Sequence, residues 1–240
     1  MLAPMTAAEQ VEGLFGDGVL VLGARIDPEA VAALTEAEAA LVERAVDKRR
    51  REFATARRLA RLGLSRLGRT PVEILHAPDR SPLWPQGVTG SISHCDTRAV
   101  VALASQGEAG TVGIDVEHRD GLRRDLWKSV FLPSETARLE AQFDEAERAR
   151  MALVLFSAKE ALYKAQHPWS RKYMGFHDLE VVLGAPDAGT FSCTFQVEVG
   201  PFGRGAEGVG RYRLDAFDGA EVVTAIQLSP TAANASSRGG

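Results

Sequence analysis

Two short stretches carry the residues with the clearest chemistry. Gly113-Ile114-Asp115-Val116-Glu117 sets two carboxylates two residues apart, and Phe156-Ser157-Ala158-Lys159-Glu160-Ala161-Leu162-Tyr163-Lys164 sets a third carboxylate four residues before an ammonium. The first reads as a strand, where side chains alternate faces, so Val112, Ile114 and Val116 share one face and Asp115 and Glu117 the other. The second reads as a helix, where residues four apart are neighbours, so Glu160 stands beside Lys164. Two carboxylates on a strand, a third on a helix and a nearby ammonium are the parts of a Mg²⁺ site with a proton-transfer group. Hard divalent cations held by a few carboxylates commonly carry substrate phosphates. Each stretch alone also has an ordinary reading: a solvated strand face, and an i,i+4 helix pair contributing about 0.2–0.5 kcal/mol.

Two further stretches could bind phosphate. In Gly90-Ser91-Ile92-Ser93-His94-Cys95, His94 is either a hydrogen-bonded structural histidine or a phosphate donor helped by the Ser93 hydroxyl and backbone amides. The run from Asp47 to Arg58 is either a solvated helix face or a basic patch. Arg49 and Arg57 lie eight apart, about two helical turns, so both point to one side. Such a pair suits a compact phosphate, because guanidinium forks bind it bidentately.

These residues need elements to position them. Thr35 and Glu38 form a capping box that opens a helix to about residue 45, and a second helix runs from about 47 to 67. Residues 1–30 read as irregular apart from an apolar stretch at Val19 to Leu22, and residues 76–90 carry too much Pro and Gly for regular structure. Strands follow at 91–95, 98–104 and 113–117, then helices at about 134–143 and 145–166, and an aromatic and basic loop at 167–177. Strands at about 178–183, 191–199, 210–217 and 221–228 close the chain, and the alternation from Phe191 to Val199 marks a half-buried antiparallel strand. Helices followed by antiparallel strands in each half make the class α+β. The polar tail, 229–240, reads as disordered.

Composition narrows the functional class. The chain has 240 residues, 45% of them hydrophobic and 25% charged, as in soluble globular proteins. No apolar run approaches the roughly 20 residues that span a bilayer, and the N-terminus lacks a secretion signal. Two cysteines, Cys95 and Cys193, form no disulfide framework or zinc site and fit a reduced cytoplasmic setting. A net charge of −4 argues against a general nucleic-acid binder.

Together the four motifs resemble the larger, monomeric, pseudo-twofold class of 4′-phosphopantetheinyl transferases, the type that activates nonribosomal peptide and polyketide synthases. That family shows a Gly-(Ile/Val)-Asp-x-Glu strand followed, some forty residues on, by Trp-(Ser/Cys)-x-Lys-Glu-(Ala/Ser)-x-x-x-Lys. It also shows an upstream Lys-Arg-Arg-x-Glu-Phe-x-x-x-Arg helix and a Gly-Ser-(Ile/Leu)-(Ser/Thr)-His turn. The likeness spans about residues 45 to 177, in order and at the right spacing. Phe156 stands where the family usually has Trp, and the loop that often carries a phosphate-binding lysine offers Arg80, and after it His76.

The resemblance implies two similar α+β halves. Residues 1–110 would bind the 3′-phosphate and adenine of coenzyme A, and residues 111–228 would carry the metal and catalytic groups. The reaction would move 4′-phosphopantetheine from coenzyme A to a serine of an apo acyl or peptidyl carrier protein, releasing adenosine 3′,5′-bisphosphate. By the same resemblance Asp115, Glu117 and Glu160 would hold Mg²⁺ or Mn²⁺. Glu160, or a water held through Asp115, would take the serine proton. Lys159 and Lys164 would neutralise the pyrophosphate, with Lys164 also serving the leaving group. Arg49, Arg57 and His94, with Ser93, would clamp the 3′-phosphate. The carrier would dock on the loop His167 to Phe176, extended by Arg123, Arg124 and Trp127, with neither nucleic acid nor membrane as partner. Two rivals are a Mg²⁺ pyrophosphohydrolase using the same carboxylates and a non-enzymatic module gripping phosphates through Lys48 to Arg58.

Overall fold

The computed structural model describes residues 9–107, 110–120, 122–185, 187–214, 216–217 and 220–230. The expected disordered tail lies outside these from residue 231 onward. The first sheet holds β1 (Glu9–Gln10), β2 (Val19–Arg25), β3 (Val88–His94) and β4 (Arg98–Ser105), all antiparallel, in the order β1-β2-β4-β3. Two helices lie between β2 and β3 in the chain, α1 (Glu36–Leu41) and α2 (Asp47–Arg66). The second sheet holds β5 (Thr111–His118), β6 (Leu179–Leu183), β7 (Thr190–Phe195), β8 (Glu207–Arg213) and β9 (Glu221–Leu228), in the order β5-β9-β8-β7-β6. Its helices are α3 (Trp127–Val130), α4 (Pro133–Gln142) and α5 (Glu145–Ser170). The α+β class and the two similar halves stand as expected.

Small apolar residues let each long helix lie close on its sheet. The Ala56, Leu59, Ala60 and Leu64 side of α2 packs on Ala99, Val101 and Leu103 of β4. In the second half α5 lies across β5 and β9. The approach is closest at Gly113, where a Cβ would stand 1.9 Å from the Ala161 carbonyl oxygen and 2.9 Å from Ala165 Cβ. A third core joins the halves: Val21, Val100 and Ala102 of the first sheet meet Val112, Ile114, Val116, Val223 and Ala225 of the second. Beside it the free edges of β3 and β5 run next to each other, and the Ile114 N–H donates to Ser91 Oγ at 3.1 Å. A side-chain hydroxyl thereby satisfies a buried edge N–H that no strand pairs.

Several expected boundaries move. Val19–Arg25 is a full strand because it pairs along β4 inside the sheet, and Pro28–Ala33 forms a 3-10 turn capped by Asp27. The Thr35–Glu38 capping box is present, but α1 stops at Leu41. Strand β7 ends at Phe195 rather than 199: the chain bends at 196–197, and Phe195 O accepts from the Gly205 N–H at 2.8 Å, one residue out of the register with β8. Strand β8 runs from Glu207 to Arg213, not 210–217. Helix α5 continues past the expected end at 166 through Pro168, and closes with the Arg171 N–H on His167 O at 2.9 Å. The Asp115 face of β5 is not solvated: Asp115 is 2% exposed, because β3 and α5 cover it.

Candidate active site

A groove follows the seam between the halves. One lobe, about 660 Å³, is lined by Arg49, Phe53 and Arg57 of α2, His76 and Arg80 of the 76–86 loop, Ser93 and His94 of β3, Asp115 and Glu117 of β5, and Glu160 and Lys164 of α5. Ten of the eleven residues singled out by sequence therefore face one space. A second lobe of about 910 Å³ shares Arg80, Pro82, Ile92, Glu160 and Lys164, and adds Trp84, Tyr163 and Trp169. Arg80 reaches both lobes from a turn in which it has φ 67° and its N–H donates to Ala77 O at 2.8 Å. Such left-handed backbone in a non-glycine residue is uncommon and costs free energy.

Asp115 is the hub. Its Oδ1 accepts from Lys164 Nζ at 2.6 Å and from Ser93 Oγ at 2.7 Å, and its Oδ2 accepts from Ser157 Oγ at 2.7 Å. Lys164 Nζ also donates to Ser93 Oγ at 2.8 Å, so the ammonium crosses to Asp115 rather than pairing with Glu160. Burial, then the Asp115 charge, pushes Glu117 up to about 8, with Lys164 pulling it down and Glu160 adding repulsion. Burial raises Glu160 too, Lys164 opposing and the Asp115 charge adding to the rise. A buried carboxylate so raised is a stronger base than an exposed one.

The cationic side of the lobe is equally ordered. The Arg57 guanidinium is buried, donates from Nε to Ile74 O at 2.6 Å and stacks 4.2 Å over the Phe53 ring. Burial lowers it to about 10, so it stays charged at neutral pH. His94 is pushed down to about 4 by burial, then by Arg49 and Lys164. It is therefore neutral at pH 7, with Nε2 against Arg49 Nη1 and Nδ1 3.4 Å from Glu52 Oε2. In this arrangement His94 is no imidazolium: it accepts from Arg49 and aims that guanidinium.

Two sequence expectations need correction. Lys159 does not reach the groove. It is 1% exposed, and its Nζ donates to Glu135 Oε2 at 2.7 Å and to the carbonyls of Phe176 (2.7 Å), Leu179 (3.0 Å) and Val130 (3.1 Å). It shares a helix face with the buried Ala152, Leu155 and Leu162, whereas Glu160 and Lys164 point a different way. Trp127 is not a docking surface either: it is 7% exposed and packs edge-on against Phe131 at 5.5 Å. Arg124 lies over its ring at 5.0 Å, and Arg123 pairs with Asp125. In the aromatic segment Tyr173 is 84% exposed, while Met174 is buried and Trp169 donates from Nε1 to Thr111 Oγ1 at 2.8 Å. Reasoning from sequence missed Ser157, although Ser157, Glu160 and Lys164 stand at i, i+3 and i+7 on one helix face. It also missed Glu52 behind His94, which lies three residues beyond Arg49.

The donor set suits a hard divalent cation. Three carboxylates face the 660 Å³ lobe, two of them raised by burial and by their neighbours' negative charge, and oxygen donors of this kind prefer Mg²⁺ or Mn²⁺. They do not enclose an ion by themselves: among the described residues no three His, Cys, Asp or Glu side chains converge as a complete binding cluster. Mg²⁺ commonly completes its shell with water and substrate oxygens, so a partial set is compatible with it.

Comparison with known proteins shows the family. A family model described as the 4′-phosphopantetheinyl transferase N-terminal domain matches residues 37–104, and one for the 4′-phosphopantetheinyl transferase superfamily matches residues 111–207. The 4′-phosphopantetheinyl transferase Svp of Streptomyces mobaraensis is 38% identical over 211 residues, covering 85% of this chain and 82% of its own. Npt of Nocardia iowensis is 38% identical over 64% of this chain and 69% of its own. PptT of Mycobacterium tuberculosis is 36% identical over 68% of this chain and 70% of its own. With cations from one half and carboxylates from the other lining a single groove, and with matches across both halves, this chain belongs to the 4′-phosphopantetheinyl transferase superfamily of enzymes.

Proposed function

We propose that the protein moves 4′-phosphopantetheine from coenzyme A to a serine of apo acyl and peptidyl carrier proteins, in a Mg²⁺-dependent reaction. What supports this most is the division of charge across the groove: Arg49 and Arg57 on one wall, and Asp115, Glu117, Glu160 and Lys164 on the other. Coenzyme A has a 3′-phosphate at one end and a pyrophosphate beyond it. Arg57, fixed by Ile74 and Phe53, and Arg49, aimed by His94, take the 3′-phosphate. Arg80, from its strained turn, and after it His76 would serve the remaining phosphates, with the Ser93 hydroxyl lining the same lobe.

Glu160 accepts the proton of the carrier serine as its oxygen attacks the phosphorus that bears the pantetheine arm. The bond to the second phosphate breaks, and adenosine 3′,5′-bisphosphate leaves with the electron pair. Lys164, held by Asp115 and Ser93, neutralises that leaving group. Asp115, Glu117 and Glu160 would hold Mg²⁺, or Mn²⁺, which supplies further charge neutralisation at the pyrophosphate oxygens. Lys159 has no place among these contacts. The exposed Arg171, Lys172 and Tyr173 at the end of α5 would meet an acidic carrier, and charge reversal at Arg171 and Lys172 should slow transfer. The protein would work as a cytoplasmic monomer, a setting that suits its two free, buried cysteines.

The test is to incubate the full chain with coenzyme A, Mg²⁺ and apo carrier domains of both kinds, then weigh each carrier. Gain of one phosphopantetheine, with release of adenosine 3′,5′-bisphosphate, is the expected result. No gain on any carrier ends the proposal, and coenzyme A breakdown without a carrier would instead identify a hydrolase.

A further inference from the structure

Two hydroxyls stand behind Asp115 without lining the groove: Ser157 of α5 and Thr224 of β9, both 0% exposed. Thr224 is the cross-strand partner of Asp115 in the β5–β9 ladder. A hydroxyl has a single proton to give. Ser157 Oγ donates its proton to Asp115 Oδ2 at 2.7 Å, so in the 2.9 Å contact between the two hydroxyls the donor is Thr224. On the other oxygen, Ser93 spends its proton on Oδ1 at 2.7 Å, and Lys164 donates to Oδ1 and to Ser93 Oγ. The three hydroxyl protons and two of the Lys164 donors are therefore directed toward Asp115, from both halves of the molecule.

We propose that Ser157 and Thr224 are positioning residues that hold Asp115 Oδ2 inside the protein and turn Oδ1 alone toward the groove. The inference rests on the carrier-activating reading above. Its consequence is that Oδ1, which here accepts from Lys164 and Ser93, would be the one Asp115 oxygen offered to a cation. Single-oxygen contacts suit the small octahedral shell of Mg²⁺ or Mn²⁺, while Ca²⁺ takes six to eight oxygens and readily accepts both from one carboxylate. Two residues that touch neither cation nor substrate would thus set which cation the site prefers. Hydrogen bonds one layer behind a metal ligand are commonly worth about 10- to 100-fold in metal affinity or activity.

The experiment titrates Mn²⁺ into the full chain, follows the electron paramagnetic resonance signal of the free ion, and repeats the titration with competing Ca²⁺. Ser157→Ala is expected to weaken Mn²⁺ binding about 10-fold or more and to let Ca²⁺ compete better. In transfer assays it should lower kcat while leaving KM for coenzyme A near wild type. Thr224→Val, of the same shape but without the donor, should move in the same direction by a smaller factor, and Thr224→Ser should restore wild-type behaviour. Should Ser157→Ala fail to fold, the Thr224→Val and Thr224→Ser pair decides. Equal Mn²⁺ binding and equal Ca²⁺ competition in the folded variants and wild type overturn the positioning role alone. A wild-type chain that binds no Mn²⁺ and modifies no carrier overturns the underlying reading as well.

Discussion

In the first half, α2 crosses β2 and β4 and sends Arg49 and Arg57 to the groove; in the second, α5 crosses β5 and β9 and sends Glu160 and Lys164. Both helices are pinned by the same knot. Glu38, third residue of α1, accepts from its N-cap Thr35 N–H, from the Ile74 N–H of the chain that follows α2, and from Arg61 of α2. Glu135, third residue of α4, accepts from its N-cap Leu132 N–H, from the Val181 N–H of the chain that follows α5, and from Lys159 of α5. Arg61 and Lys159 are thus counterparts, each the buried cation of a structural tie. The difference between the halves lies on the groove side, where one helix contributes guanidinium groups and the other a carboxylate with an ammonium. A repeated frame can be held constant while the residues facing the ligand diverge in charge, and a ligand with separated anionic groups suits that divergence.

The strongest way to break the comparison is to remove the one function that only the second half supplies. Glu160→Gln should lower the transfer rate about 10³-fold in a carrier-loading assay, with the thermal midpoint and coenzyme A affinity unchanged. Sharpening the structural parallel comes next. Lys159→Met and Arg61→Met each strand a buried glutamate, so each should cost about 3–5 kcal/mol in denaturant unfolding. A Lys159→Met protein that keeps its stability but loses coenzyme A affinity would place Lys159 in the ligand site after all. On the cationic wall, Arg57→Ala should weaken coenzyme A binding about 10- to 100-fold by calorimetry while leaving dephospho-coenzyme A nearly unaffected.

The last test is a pH dependence from His94. Its native value, about 4, lies below its ordinary 6.5, so between these values the unfolded chain binds the extra proton. Its contribution is complete above about pH 6.5 and is lost as pH falls toward 4. His94→Gln should flatten the fall in unfolding free energy over that window relative to wild type, while a parallel pair of curves would mean that the imidazole is not held neutral.

Much of the site was legible because its motifs are local. Asp115 and Glu117 follow from strand alternation, Glu160 and Lys164 from helical spacing, and Arg49 and Arg57 from two turns of one helix. Lys159 was misplaced by its adjacency to Glu160, although a helix turns about 100° per residue and Ala152, Leu155, Phe156 and Leu162, which share its face, are apolar. Thr224 could not be found, since its place beside Asp115 depends on a register between strands more than a hundred residues apart. The end of α5 lies past the expected 166: Pro168 removes a donor, yet the packed helix carries on through it. The halt of β7 at Phe195 goes with the slip of its partner chain at Gly205 and Ala206, which no local alternation reveals.

Gly113 gives the site its scale. Glu160, Lys164 and Ser157 ride on α5 and Asp115 rides on β5, so every contact among them depends on how deeply the helix beds into the strand. That depth is fixed where Gly113 meets the Ala161 carbonyl, at a separation that leaves no room for a methyl group. The missing carbon works as a gauge. Any side chain there would lift the helix and lengthen the 2.6–2.7 Å bonds to Asp115 together, detuning the chemistry from a position that touches no substrate.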